Sequence, residues 1–175
     1  MAIDPEPTVT ELLRYNQWAN QQLLSVCMSI GDDVIKADIA GGYGSIVATF
    51  VHILRAQAGF LKRIHGVAPH MPMGWDENPG LAQLAALEGD LSSQLLSALQ
   101  HVSMTQNLHE EGPGWTFDYQ ARLVFMSVVY HGVAHRTDIT TYLNGRGITV
   151  PELDVWAYQF ANPERFDSSF RKTDD

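Results

Sequence analysis

The amino-acid sequence predicts an all-α, up-down four-helix bundle with a short C-terminal helix, and two observations support this class. Apolar residues recur at three- and four-residue steps over four long stretches of the 175-residue chain. The stretches are separated by glycine and proline clusters and not by alternating strands. We therefore predict a single domain spanning residues 1–175, in which helices pack on helices around one core.

The first two helices are predicted from this periodicity and from signals at their ends. The first covers residues 8–30, with Thr8 or Thr10 as its N-cap. A glycine-rich connection follows, and the second helix covers residues 45–65. Ser45 is its predicted N-cap, because a serine hydroxyl accepts a hydrogen bond from the free N–H groups of a first turn. Gly66 then ends the helix, and proline and glycine make residues 67–80 a long loop.

The second half of the chain is predicted to contain two more long helices, at residues 81–101 and 121–144. Between them, Gly112-Pro113-Gly114 is a strong turn signal, which allows a small hairpin between helices 3 and 4. Gly145 is the predicted C-cap of the fourth helix. A short apolar helix follows Pro151, and residues 161–175 are expected to form a peripheral tail.

Charge and composition exclude several functions. Lys and Arg number 11 against 20 Asp and Glu, a net charge of −9, and no basic stripe is present. Nucleic acids and anionic membranes bind clustered cations, so we expect neither as a partner. The first residues do not resemble a signal peptide, which favours a cytoplasmic protein. Cys27 is the single cysteine, and its apolar neighbours predict a buried, unreactive thiol.

Two of the seven histidines stand out by their spacing. His131 and His135 are four residues apart on a predicted helix, so their side chains share one face. Val124 and Val128 lie on the same stripe, which indicates that it points inward. Buried imidazole nitrogens need partners. A metal ion would satisfy them, but so would hydrogen bonds to nearby groups, and the spacing alone does not decide between the two.

A third candidate ligand is His52, in the middle of the second helix. Small residues at Ala56 and Gly59 leave room beside it, although a lone mid-helix histidine is also typical of an ordinary core. The remaining histidines fall at helix ends or in loops and are expected to be solvated: His65, His70, His101 and His109.

Other metal and cofactor sites do not fit the sequence. Zinc peptidases need His-Glu-x-x-His, but Gly132 follows His131. No glutamate stands three residues before a histidine, as di-iron bundles require. The chain also lacks Cys-x-x-Cys, a P-loop and a complete dinucleotide fingerprint. Any metal centre would therefore be mononuclear and bound by three histidines.

The sequence resembles the DinB-like family of four-helix metal proteins. The likeness rests on four segments in order: LRYNQWAN at 13–20, GSI at 44–46 followed by His52, HGVAHR at 131–136, and PELD with WAY between 151 and 158. It implies one divalent metal ion held by His52, His131 and His135. Family members bind zinc, nickel or iron, and many form homodimers. Some are thiol-dependent and use a low-molecular-weight thiol such as bacillithiol or mycothiol.

One departure from the family pattern concerns the residues after the second paired histidine. The family often has Arg-Gly-Gln there, whereas this chain has Arg136-Thr137-Asp138. The Asp138 carboxylate could accept a hydrogen bond from a ligand imidazole or from a bound water. Asp138 is therefore the candidate catalytic residue next to the three ligands.

Two functions follow as hypotheses. The first is a metal-dependent transferase, isomerase or hydrolase that activates a thiol or water, with a small-molecule substrate. The alternative is a non-catalytic dimeric bundle with a structural or sensory metal. A third hypothesis is a metal-free bundle in which hydrogen bonds satisfy the three histidines. Tyr15, Asn16 and Trp18 could line the pocket, but core packing is favoured for them. It is also favoured for three further tryptophans, Trp75, Trp115 and Trp156.

Overall fold

A computed structural model describes residues 7–69 and 79–166, and its main feature is the predicted bundle of four long helices. The helices are α1 (Pro7–Met28), α3 (Ile46–His65), α4 (Leu81–Ala98) and α5 (Ala121–Gly145). The all-α class is thereby confirmed. Most of the predicted loop at 67–80, including His70 and Trp75, lies outside the described residues.

Shorter elements connect the long helices. Between α1 and α3 lie α2 (Asp32–Ile35) and a two-residue antiparallel ladder of β1 (Asp38–Ile39) and β2 (Gly44–Ser45). Between α4 and α5, β3 (Asn107–Gly112) pairs antiparallel with β4 (Trp115–Gln120), so the hairpin is confirmed. After α5 come α6 (Val155–Ala161) and a 3₁₀ turn (Pro163–Arg165).

The four long helices do not pack in the order in which they occur along the chain. Helix α1 packs on α4 and α5, and α3 packs on the same two helices. Consecutive helices α1 and α3 therefore lie across a diagonal of the bundle, as do α4 and α5. The two segments that cross these diagonals are those that contain the β-ladders, and long crossover connections of this kind are known in helical bundles.

The core lies where the apolar stripes of the four helices meet. Its largest fully buried side chains come from every long helix: Leu23, Leu24, Ile46, Phe50, Ile53, Leu54, Leu61, Leu84, Leu91, Leu95 and Phe125, with Leu99 just after α4. Cys27 is buried among them, and burial raises the pKa of its thiol to about 12. The thiol therefore stays protonated at neutral pH, as predicted for an unreactive cysteine. None of the described helices is both long enough and apolar enough to cross a bilayer.

The helix ends follow the predicted signals with one exception. Ser45 caps α3, and its hydroxyl accepts a hydrogen bond from the Ala48 N–H at 3.2 Å. Gly66 closes the same helix in the left-handed conformation, with φ 76°. The prediction that Gly145 caps α5 was wrong, because Gly145 is still helical. Arg146 is the C-cap instead, and Gly147, two residues after Gly145, takes the left-handed conformation with φ 74°.

Two packing predictions were also wrong. Trp115 is 51% exposed and Trp156 is 64% exposed. Each lies on a small element with one face against the bundle, so nothing in the described part of the chain covers the outer face. After α6, Arg165 donates hydrogen bonds to the Glu11 carboxylate and Phe166 packs on Tyr158, while residues 161–166 stay on the surface.

Candidate metal centre

Helices α3 and α5 bring the three predicted ligands together. His52 projects from α3, and His131 and His135 project from neighbouring turns of α5. One ring nitrogen from each lies within 4.8 Å of the other two. The closest pair is His131 Nε2 and His52 Nε2, 3.0 Å apart. The three histidines therefore converge on one point at the α3–α5 contact, and each is half-buried there.

This arrangement fits a divalent metal ion. A tetrahedral ion with nitrogens at about 2.0–2.1 Å requires nitrogen–nitrogen separations of about 3.3 Å. The His131–His52 pair, at 3.0 Å, is close to that value, and the other two separations lie within 4.8 Å. Imidazole nitrogens suit zinc, nickel and iron alike. Among the described residues, no fourth histidine, cysteine or carboxylate joins this cluster.

Burial favours the neutral form of two rings in the cluster, those of His131 and His52. Burial lowers the pKa of His131 to about 4, and the neighbouring His135 and His52 add to the shift. Burial also lowers the pKa of His52, helped by His135 and Arg55. A metal ion binds only neutral imidazole, so protons compete little for His131 and His52 at neutral pH.

Asp138 contacts one of the ligands. Its Oδ2 lies 3.1 Å from His135 Nδ1, one helical turn earlier on α5. When Nδ1–H donates to the carboxylate, Nε2 of His135 is left with a free lone pair for a metal ion. Of the two roles predicted for Asp138, this geometry supports the first, orientation of a ligand imidazole.

An aromatic residue that the sequence analysis did not select also belongs to the site. The Tyr43 ring stacks on the His52 imidazole, with centroids 3.6 Å apart and planes 22° apart. Its edge approaches His135 at 6.0 Å. The Phe60 ring lies beside His131, with their centroids 6.3 Å apart. The only sequence signal for Tyr43 was its place between glycines just ahead of the helix that carries His52.

Behind the histidines, a buried polar network ties α5 to α1. Arg136 is 3% exposed, and its Nη1 donates to Asn16 Oδ1 at 2.8 Å and to Asn20 Oδ1 at 2.7 Å. Its guanidinium also lies over the Tyr15 ring. Asn16, predicted to pack in the core or line a pocket, is thus a buried hydrogen-bond acceptor that ties α1 to α5 at the residue directly after His135.

The network continues from α1 to α4. Asn20 Nδ2 donates to Glu88 Oε1 at 3.3 Å, and the Ser92 hydroxyl donates to the same oxygen at 2.7 Å. Glu88 is fully buried, and burial raises the pKa of its carboxyl to about 7. A buried acid of this kind ionises with difficulty, since its charged form loses solvation.

Gly132 makes this close packing of α1 and α5 possible. A Cβ at position 132 would clash with Asn16 Oδ1 and would lie 2.7 Å from Arg136 Nη1. No larger residue fits without moving the network. The glycine that excluded a zinc-peptidase motif is therefore present for a steric reason.

The remaining candidates lie away from the cluster. His65, His101 and His109 are exposed, as predicted, and His109 pairs with Asp118 at 2.8 Å. Tyr15 and Trp18 pack on Tyr158 of α6, which agrees with their preferred interpretation as packing residues.

Comparison with known proteins identifies the family. The DinB family model matches residues 6–166. The chain belongs to the DinB family. Its fold is similar to that of a DinB-like protein from Bacillus cereus ATCC 10987, solved at 2.01 Å resolution, with a TM-score of 0.66 and 19% identity over 86% of this chain and 97% of that one. At this identity the likeness shows a shared DinB fold. No curated protein matches the chain.

Substitution of Gly132 by alanine tests the close packing behind the ligands. An alanine inside a helix normally stabilises by about 1 kcal/mol relative to glycine. At Gly132 we expect the opposite, a loss of about 1 to 3 kcal/mol, because the added methyl overpacks the Asn16–Arg136 contact. The matched control is Gly89→Ala in α4, where an added Cβ meets no atom within 4 Å. Chemical denaturation of both variants measures the difference, and a stabilised Gly132→Ala protein would contradict the structure.

The raised pKa of the buried Glu88 carboxyl leads us to expect that the stability of the fold depends on pH. Its folded pKa of about 7 lies above the ordinary value of 4.5, so between these pH values the folded state binds more protons than the unfolded state. The free energy of unfolding should therefore fall as pH rises from 4.5 to 7. We expect Glu88→Gln to become more stable than wild type over this range by about 1 to 3 kcal/mol.

Denaturation curves at several pH values measure this difference, with the exposed Glu152→Gln as the control. If the difference in unfolding free energy between Glu88→Gln and wild type stays constant from pH 4.5 to 7, burial does not raise the pKa of Glu88.

Proposed function

We propose that this DinB-family protein binds one divalent ion, zinc, nickel or iron, through His52, His131 and His135. We propose further that it is an enzyme of the transferase, isomerase or hydrolase type that uses a thiol or water as nucleophile. The observation that carries the proposal is the convergence of three imidazoles from two helices, with one ring nitrogen of each within 4.8 Å of the others. Three ring nitrogens that converge on one point from separate helix positions match the donor set of a mononuclear histidine site.

The chemistry of the donor set supports a catalytic centre. Bound by three neutral histidines, a divalent ion keeps its full charge and supplies Lewis acidity that lowers the pKa of a water or thiol at the site. The protein's own residues hold and shield the centre. Asp138 fixes the tautomer of His135, while burial keeps His131 and His52 deprotonated. The rings of Tyr43 and Phe60 flank the cluster and exclude part of the solvent from it.

The choice between an enzyme and a structural or sensory metal depends on the ligand count. Structural zinc sites are closed by four protein ligands, whereas catalytic sites keep a position open. The cluster in the described residues has three ligands, and Asp138 is directed at His135 Nδ1. This arrangement favours the enzyme.

The partners are proposals that follow from the family resemblance. A low-molecular-weight thiol such as bacillithiol or mycothiol is the proposed cosubstrate, because a thiolate suits borderline metal ions. The homodimer and the cytoplasmic location stay predictions. The net charge of −9 still argues against nucleic acid as a partner.

Metal analysis of protein purified without an affinity tag tests the site. We expect one ion per chain in the wild type and a loss of affinity of at least about 100-fold in His131→Ala, since removal of an outer-shell partner alone costs about 10- to 100-fold. The control is His101→Ala, whose histidine is exposed and lies away from the cluster. Equal metal content in wild type and His131→Ala would eliminate the site.

Protein in which cobalt replaces the native metal distinguishes an enzymatic centre from a structural one. Titration with azide or with a small thiol should change the visible absorption spectrum if a position on the ion is open. A spectrum that neither ligand changes would contradict the enzymatic role and favour the structural or sensory metal.

A further inference from the structure

The loop that carries Tyr43 is held in place at both ends, although its tip is exposed. β1 and β2 pair antiparallel on either side of it, and Gly42 N–H donates to the Ile39 carbonyl at 3.0 Å. Ile39 itself is buried. Upstream, the Tyr142 hydroxyl of α5 donates to the Val34 carbonyl at 3.0 Å. The backbone around Tyr43 is therefore fixed relative to the helix that carries two of the histidines.

Glycine conformation sets the direction in which the loop tip points. Gly41 and Gly44 have φ values of 76° and 88°, a region that other residues rarely adopt. Ser45 then starts α3 as its N-cap. This turn places the Tyr43 ring back over the helix, against a histidine nine positions further along the chain.

The Tyr43 ring has no role in the core. It is 55% exposed, in contrast to the aromatic residues inside the bundle. Its one close ring contact is the face-to-face stack on His52 at 3.6 Å, with His135 at its edge. An exposed tyrosine with this contact covers one face of the metal-ligand cluster.

We propose that Tyr43 is a positioning residue that holds the His52 imidazole in its metal-binding orientation and shields that side of the centre. This inference rests on the proposed function. Stacking restricts the rotation of the His52 ring, so less conformational freedom is lost when an ion binds. Coordination also draws electron density from the imidazole, which strengthens its attraction to the electron-rich face of the phenol ring.

Without the Tyr43 ring, the site should bind a metal ion more weakly and release it faster. Removal of the ring in Tyr43→Ala should weaken cobalt binding about three- to tenfold, the range expected for loss of one aromatic pair. It should also speed the transfer of cobalt to a chelator. Tyr43→Phe keeps the stack and should restore both values to those of wild type. Tyr130→Ala is the matched control, because Tyr130 is 79% exposed on α5.

The experiment measures the cobalt dissociation constant from visible absorption, the rate of cobalt loss to EDTA, and the proton NMR spectrum of the metal-free protein. In the spectrum, the ring current of Tyr43 should shift the His52 ring protons upfield in wild type and Tyr43→Phe, and this shift should vanish in Tyr43→Ala. The NMR readout does not depend on metal, so it reports the stack directly.

The outcomes distinguish this inference from the proposed function. Cobalt binding that is lost in His131→Ala but equal in Tyr43→Ala and wild type overturns the role of Tyr43 and leaves the metal site intact. A wild-type protein that binds no cobalt overturns both. Weaker binding in Tyr43→Ala with rescue by Tyr43→Phe supports the inference.

Discussion

The contact between α3 and α5 is the constraint on which the rest of the site depends. His52 comes from one helix and His131 and His135 from the other, so their nitrogens meet only if the two helices keep their spacing and rotation. A rotation of either helix by a fraction of a turn would separate the rings. The apolar stripes that bury Phe50, Ile53 and Phe125 set this relation, which makes core packing a precondition for metal binding.

Helix α5 serves this constraint with two different faces. One face presents the two paired histidines, and an adjacent face inserts Arg136 between Asn16 and Asn20 of α1. Gly132 allows the approach, and Glu88 extends the network to α4. Buried polar contacts of this kind add little net stability, but wrong arrangements of the helices would leave them unpaired and are therefore disfavoured. The network thus favours one rotation of α5.

Much of the fold was predictable, because helix periodicity, caps and turns are local signals. The four long helices, the N-cap at Ser45, the closing Gly66 and the hairpin turn at 112–114 were all predicted from nearby residues. The diagonal placement of α1 and α3 was not, since it depends on long-range packing. A ladder of two residues such as β1–β2 is also too short for a recognisable pattern. At the end of α5, the sequence offers two glycines, Gly145 and Gly147. The residue at which the helix unwinds decides which of them takes the left-handed conformation, and here it is Gly147.

The site was predictable to a lesser degree. The spacing of His131 and His135 indicated a shared face, but the addition of His52 depended on the resemblance to a family, because 79 residues separate it from His131. Polar residues at core positions, such as Asn20 and Glu88, were visible in the sequence, yet their partners come from other helices. The Tyr43 stack is also a nonlocal contact, formed by the return of a loop over a helix, and no periodic pattern indicates it.

Anomalous diffraction from crystals of the zinc-loaded protein, collected at the zinc edge, tests the central claim most directly. The geometry predicts a single strong peak about 2.0–2.1 Å from one nitrogen each of His52, His131 and His135. A peak at another place on the molecule, such as the His109–Asp118 pair, or one in contact with a single member of the cluster, would contradict a three-histidine centre.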